Sequence, residues 1–188
     1  MFEPIIIKAE NQDSIELINE SHTQPIFEMV NQNRVYLRQW LSFVDNMVAV
    51  DFAENFVNGS MQRHQAGIEY AFVIKHDGKA VGRIGVYKLD HQNKIGEIGY
   101  WLVENVQGQG IITTACKALI RFCFDDLLLH RIEIKCATGN TKSQSIPVRL
   151  GFTKEGIIRE GEWLRDKYVD LFLYSLLTSE YPLKIPQT

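Results

Sequence analysis

One hexapeptide, Gln107-Gly108-Gln109-Gly110-Ile111-Ile112, restricts the folds open to this chain more than any other segment. Before it lies a run of strand character, Lys94–Val103. After it, from Ile111 to about Leu127, Ile112, Ala115, Leu119, Phe122 and Cys123 recur at helical spacing, while Lys117, Arg121 and Asp125 fall elsewhere. Glycines between a strand and a helix let the backbone take positive φ and approach a ligand closely. The unpaired N–H groups of the helix's first turn then point outward and, with a nest of loop amides, suit an anion such as a pyrophosphate. A plain glycine turn without a ligand is the alternative on this loop alone. Two other phosphate motifs fit less well. The sequence has no GxxxxGK[ST], and a dinucleotide fingerprint needs a third small residue where Thr113 stands.

The segment before the loop argues against that fingerprint too. Glu69–Lys75, Lys79–Leu89 and Lys94–Val103 are three strand-like runs. Asp77-Gly78 joins the first two as a tight hairpin turn, and His91-Gln92-Asn93 links the next pair. Sequential strands with short turns make an antiparallel meander, whereas a dinucleotide unit opens a parallel sheet. Nearer the N-terminus, Ile5–Ala9 and Ser14–Asn19 read as a hairpin around Glu10-Asn11-Gln12-Asp13. Ser21 and Gln24 match a capping box, with Pro25 tolerated in a first helical turn, and Ile26, Met29 and Val30 continue the helix. Further helices are expected at Val35–Leu41 and Ala53–Gln65. After the long helix come a strand at Arg131–Ala137, a short helix at Ser143–Leu150, and strands near Phe152–Arg159 and Tyr168–Leu177. Strand, helix and strand through this last region read as a βαβ unit. The fold class is therefore mixed α+β, with a sheet partly antiparallel and partly parallel.

The 188 residues fit one domain, residues 1–188, with 181–188 as a flexible tail that includes two prolines. A net charge of −3 and no basic stripe speak against nucleic-acid binding. No apolar run approaches the ~20 residues of a membrane span, and Met1–Glu10 lacks a basic n-region and a small-residue cleavage site. Cys116, Cys123 and Cys136 form no CxxC pair, and an odd count fits reduced thiols in a cytoplasmic compartment; the expected role is core packing. His22, His64, His76, His91 and His130 show no metal-ligand spacing, so no metal is expected.

The loop resembles the (Arg/Gln)-x-x-Gly-x-(Gly/Ala) motif of the GNAT superfamily, with Ile112 at the last position in place of a small residue. Glu97-Ile98-Gly99-Tyr100-Trp101-Leu102 resembles the strand that precedes this loop, and Asn140-x-x-Ser143, Leu150-Gly151-Phe152 and Glu155-Gly156 continue the pattern in order. Together they resemble the RimL-like branch, the ribosomal-protein N-terminal acetyltransferases, over about Asp13 to Glu180. The resemblance implies a three-layer fold with a mixed, mostly antiparallel central sheet flanked by helices. It also implies acetyl-CoA as cosubstrate and direct attack of a primary amine on the thioester. The expected acceptor is the N-terminus of a protein such as a ribosomal protein. Homodimers or higher homo-oligomers are common in this branch.

Residue roles follow from the same resemblance. Gln107, Gly108, Gln109, Gly110, Ile111, Ile112 and Thr113 hold the pyrophosphate, and Asn140 bonds the pantetheine arm. Leu102 and Val103 supply a backbone donor, splayed open by a β-bulge, for the developing oxyanion. Ser143 serves the leaving thiolate, and its other reading is a helix cap. Glu162, in Arg159-Glu160-Gly161-Glu162-Trp163-Leu164, is the first candidate for the general base, and Glu97 the second. For either glutamate a solvated strand-end charge is the alternative. Trp40, Trp101 and Trp163 fit the acceptor cleft or the core; Lys117 and Arg121 could reach the ribose phosphate of CoA, but a solvated helix face is the preferred assignment. Two rival functions keep the same loop: acetylation of a small amine such as a polyamine or an antibiotic, and an acetyl-CoA sensor without turnover.

Overall fold

The computed structural model describes residues 5–11 and 13–181. Eight strands form one sheet: β1 (Ile6–Lys8), β2 (Ser14–Leu17), β3 (Tyr70–His76), β4 (Lys79–Asp90), β5 (Ile95–Leu102), β6 (Arg131–Ala137), β7 (Thr153–Leu164) and β8 (Lys167–Leu177). Their spatial order is β1-β2-β3-β4-β5-β6-β8-β7. Five α-helices accompany them: α1 (Thr23–Gln32), α2 (Arg34–Leu37), α3 (Val50–Gln65), α4 (Ile111–Arg121) and α5 (Thr141–Arg149).

Local chemistry explains most of these elements. Asp77 and Gly78 both take positive φ, 48° and 74°, which closes the β3–β4 hairpin with the twist the strands need. Alternation within β6 is strict, with Ile132, Ile134 and Cys136 buried between half-buried neighbours. Arg83 of β4 lies over Phe56 of α3, whereas Phe72, cross-strand from Ile84, meets Phe122 at the end of α4. Neighbouring strand residues point to opposite faces, so α3 and α4 cover opposite sides of the sheet. Cys116, Cys123 and Cys136 are all buried and unpaired. Among the described residues no helix is long and apolar enough to cross a membrane.

Several expectations are corrected. The capping box is built by Asn19 and His22 around the short helical turn at Glu20–His22, not by Ser21 and Gln24. The long helix ends at Arg121 and continues as a π-helical turn, Phe122–Asp126. Strands β6 and β7 are not neighbours, because β8 lies between them. The directly paired parallel strands are β5 and β6, joined through α4. Strand β7 runs on to Leu164, well past Arg159, because a bulge between Ile158 and Glu162 lets it resume pairing with β8. Tyr181 belongs to the core rather than to the tail, packed 5.1 Å from Phe124. Gln12 and 182–188 lie outside the described residues.

One feature of the register positions the site. The parallel β5–β6 ladder runs from Ile95↔Arg131 only to Ile98↔Ile134. Beyond that point β5 stays paired with β4 to Leu102, and β6 stays paired with β8 to Ala137. The sheet therefore forks in its middle, and the facing edges of β5 and β6 hold peptide groups with no strand partner.

Candidate active site

A cavity of about 1150 Å³ fills the fork. Residues 98–102 of β5 and 134–137 of β6 line its sides. Thr114 and Ile146 border it on the α4–α5 face, and Leu37 and Trp40 on the other. The cavity thus connects the two faces of the sheet.

At one end lies the glycine loop. Gly108 and Gly110 sit at φ 78° and 84°, and nothing lies within 4 Å of where a Cβ would stand at either. Their requirement for glycine is conformational rather than steric. Gly110 is the N-cap of α4, with no side-chain cap, and the helix's first backbone bond runs from Thr114 N–H to the Gly110 carbonyl at 3.1 Å. The N–H groups of Ile111, Ile112 and Thr113 are therefore free of the helix ladder and stand at its positive end. Three cations line this part of the cavity. Arg149 donates to Thr113 Oγ1 (2.9 Å), Lys142 to Gln107 Oε1 (3.0 Å), and Lys117 to Glu10 Oε1 (2.9 Å). Lys117 is thus part of the cavity wall, while Arg121 is exposed and takes no part. From below, buried Asp13 accepts from Thr114 Oγ1 at 3.0 Å and pairs with His76 at 2.6 Å, tying the β1–β2 turn to the first turn of α4.

In the middle, Val103 donates its N–H to the Val81 carbonyl at 2.9 Å. Peptide groups alternate in direction along a strand, so the Leu102 N–H points to the other edge, into the fork. Of the two expected backbone donors, Leu102 is the one available; Val103 is engaged and does not line the cavity. No bulge exposes Leu102, since the β4–β5 ladder is regular from Tyr87↔Glu97 to Gly82↔Leu102. Divergence of β6 does so instead. Asn140 is the N-cap of α5, its Oδ1 accepting the Ser143 N–H at 3.1 Å, so the capping role read for Ser143 belongs to Asn140. The Ser143 hydroxyl lies 3.2 Å from Cys136 Sγ, and the Tyr100 hydroxyl donates to the Ser143 carbonyl at 2.9 Å. These three side chains gather where β5, β6 and α5 meet. Burial pushes the Tyr100 phenol well above its ordinary range and pushes the Cys136 thiol up, so both stay protonated near neutrality.

At the far end Glu97 and Glu162 line the same cavity. Burial pushes the Glu97 carboxyl up, but hydrogen bonds from Lys135 (2.8 Å) and Lys88 (3.0 Å), with their charges, outweigh it and hold Glu97 below the usual carboxylate range. Glu162 moves the other way. Burial against the cavity walls, then the charge of Glu97, push its carboxyl up, and Lys88 opposes them. The residue still reaches solvent through the cavity mouth, and among the described residues no hydrogen bond or ion pair holds it. A carboxylate with a raised pKa and free lone pairs is the better proton acceptor of the two. Trp101 is 8% exposed and lines the cavity, as does Trp40. Trp163 is in neither core nor cavity: it is 52% exposed and stacks edge-on against Tyr168, its cross-strand partner.

Most of the site residues named from sequence thus come together. Gln109 and Val103 are the two expected cofactor contacts absent from the lining. Sequence reasoning missed Tyr100, Lys135, Cys136, Lys142 and Arg149. For Lys142 and Arg149 a signal existed, since residues seven apart share a helix face; for the others the fork itself had to be known. The group these residues suit has a phosphate-bearing end and a narrow arm. A cradle of helix N–H groups, two left-handed glycines and three cations leads into a slot between two strand edges. Acetyl-CoA fits that sequence of environments. No group of three or more His, Cys, Asp or Glu is arranged to hold a metal among the described residues.

Comparison with known proteins agrees with this geometry. Residues 14–153 match the model of the acetyltransferase (GNAT) domain. The chain is 36% identical over 177 residues to YdaF of Bacillus subtilis (strain 168), covering 93% of this chain and 96% of that one. It is 33% identical over 169 residues to the ribosomal-protein-serine acetyltransferase of Escherichia coli (strain K12), covering 90% and 94%. Among solved structures it resembles RimL, a ribosomal L7/L12 alpha-N-protein acetyltransferase in complex with coenzyme A, with a TM-score of 0.89 at 28% identity over 92% of this chain and 98% of that one. It also resembles the microcin C7 self-immunity acetyltransferase MccE in complex with acetyl-CoA and AMP, at TM-score 0.86 and 28% identity over 89% and 93%. The chain belongs to the GNAT acetyltransferase family and is an acetyl-CoA-dependent N-acetyltransferase.

Proposed function

We propose that the enzyme acetylates the N-terminal α-amino group of a protein, with a ribosomal protein as the favoured acceptor. The observation that carries this reading is Glu162, a half-solvated, unpaired carboxylate at the end of the cavity away from the phosphate cradle. Such a base suits an α-amine, with pKa ~7.7–8.0, far better than a lysine at ~10.4, because much of the α-amine is already neutral near pH 7.5. The names of the relatives support the same acceptor class. A cytoplasmic, homo-oligomeric protein is part of the same proposal.

In this reading each residue has one task. The N–H groups of Ile111, Ile112 and Thr113, with Gly108, Gly110 and Gln107, hold the cofactor's pyrophosphate, and Lys117, Lys142 and Arg149 neutralise its phosphates. When bound, acetyl-CoA supplies a thioester carbonyl. The Leu102 N–H is the fixed donor for an oxygen that gains charge there. Glu162 takes the proton of the incoming amine at a carboxylate oxygen, directly or through one water. The Ser143 hydroxyl, 3.2 Å from Cys136 Sγ, would be the donor held for the cofactor's sulfur. Holding the two reactants in one slot supplies much of the remaining rate.

The test is a comparison of three acceptors with acetyl-CoA: a lysine-free peptide with a free N-terminus, an N-terminally blocked peptide containing lysine, and a polyamine. Release of free CoA thiol and product mass are followed together. The expected result is turnover with the first and at most traces with the others. Preference for the polyamine or for the blocked peptide would refute the acceptor assignment.

A further inference from the structure

Glu97 sits at the fork. Its partner on β6 is Glu133, one position before the last pair of the ladder, Ile98↔Ile134. A single oxygen, Oε2, receives both Lys135 from β6 and Lys88 from β4. From Lys135 the charges continue to Glu133 (3.5 Å), then Arg131 (2.9 Å), then Glu155 (2.6 Å), which takes the Ser175 hydroxyl at 2.6 Å. Opposite charges from four strands alternate here, and Lys88, Glu97 and Lys135 are the members that border the cavity. The side chains of Glu97 and Lys135 are only 22% and 24% exposed, so solvent screens their fields weakly. Glu162 is outside this chain of contacts.

The groups around Glu162 are few. Glu97 from β5, Lys88 from β4 and Lys135 from β6 line the cavity with it. Its cross-strand neighbour on β8 is Val169. Glu97 is therefore the acidic group set against it, and that group is committed to two lysines.

We propose that Glu97 is a positioning residue rather than a proton acceptor: Lys88 and Lys135 pin it at the fork as a fixed negative charge, and this charge helps to set the pH at which Glu162 takes up a proton. A carboxylate beside a like charge holds its proton to higher pH, which makes it a stronger base when ionised. The catalytic consequence rests on Glu162 being the base; the electrostatic claim does not.

The experiment titrates the side-chain carboxyl of Glu162 by ¹³C NMR in full-length protein labelled at glutamate, the signal assigned by its loss in Glu162→Gln. Glu97→Gln is expected to move the Glu162 midpoint to lower pH and to shift the acid limb of the rate profile with it. Its loss of kcat at neutral pH should stay well short of the ~10²–10⁴-fold expected for Glu162→Gln. Lys88→Met is expected to move the midpoint the opposite way. An unmoved Glu162 midpoint in Glu97→Gln overturns the proposal, as does a loss of turnover in that variant as deep as in Glu162→Gln. If Glu97→Gln fails to fold, Lys88→Met decides, and no upward movement there overturns it. The NMR arm reads the charge coupling whatever amine the enzyme prefers, so failure of the acceptor assignment remains distinguishable.

Discussion

Glu162 follows Gly161 in the β7 bulge, where residues 159–161 span the space that Asp170 takes on β8. Without the bulge, the residue opposite Val169 would be Glu160; with it, Glu162 takes that place, on the same face as the cavity-lining Ile158 and Leu171. The Glu160 N–H donates to Asp170 Oδ1 at 2.7 Å and holds the bulge. Substituting Glu162 with Gln is expected to lower kcat by ~10²–10⁴ with little change in acetyl-CoA affinity. It should also raise the melting temperature at neutral pH. Folding partly desolvates this carboxylate and places it on the cavity wall it shares with Glu97, so the ionised form costs stability that a neutral amide does not. A calorimetric scan alongside the kinetic assay checks both halves, and a lower melting temperature would contradict the assignment of strain to this charge.

At the scale of the element, the loop before α4 depends on two left-handed glycines. An alanine at Gly110 meets no neighbour, so its whole effect is the cost of an L-residue at φ 84°. That is about 1–2 kcal/mol, or a fall of roughly 2–8 °C in melting temperature for a domain of this size. The same backbone carries the free N–H groups, so KM for acetyl-CoA should rise with it. Gly156 on β7 is the matching control, with open space and no positive φ. Gly156→Ala is expected to leave both quantities nearly unchanged in thermal-shift titrations with the cofactor. Equal effects at the two positions would mean that the loop conformation is not what binds.

At the scale of the whole molecule, the charge chain across the sheet predicts how the fold responds to acid. Hydrogen bonds from Arg131 and Ser175 hold the Glu155 carboxyl down at about 2, against an ordinary 4.5. A carboxylate depressed by folding contributes stability above its unfolded value and loses it as pH falls through the folded one. Stability should therefore decline from about pH 4.5 toward about 2 as this pair is lost. Glu155→Gln should melt lower at neutral pH and show a shallower decline over that window, measured by calorimetry at several pH values. Glu162 contributes with the opposite sign, since protonating a raised carboxyl favours the folded state.

The sequence by itself determined what is local. Asp77-Gly78 dictated a turn because both residues accept positive φ, and Gly108 and Gly110 marked a strand-to-helix junction with free amides because of the same freedom. The meander, the amphipathic helix behind the loop and the burial of the cysteines were legible from side-chain periodicity and polarity. Family resemblance added residues that no local rule marks, Ser143 and Glu162 among them. Only the tertiary structure decided where β5 and β6 part, because register is fixed by pairing between residues 36 positions apart, from Ile95↔Arg131 to Ile98↔Ile134. That parting exposes the Leu102 amide, while pairing with β4 engages the Val103 one; Tyr100 and Cys136 meet Ser143 beside it, and Lys117 belongs to the cavity wall rather than to a solvated face. The two glutamates are alike in sequence; three-dimensional neighbours separate them, because Lys88 and Lys135 reach Glu97 and leave Glu162 without a partner.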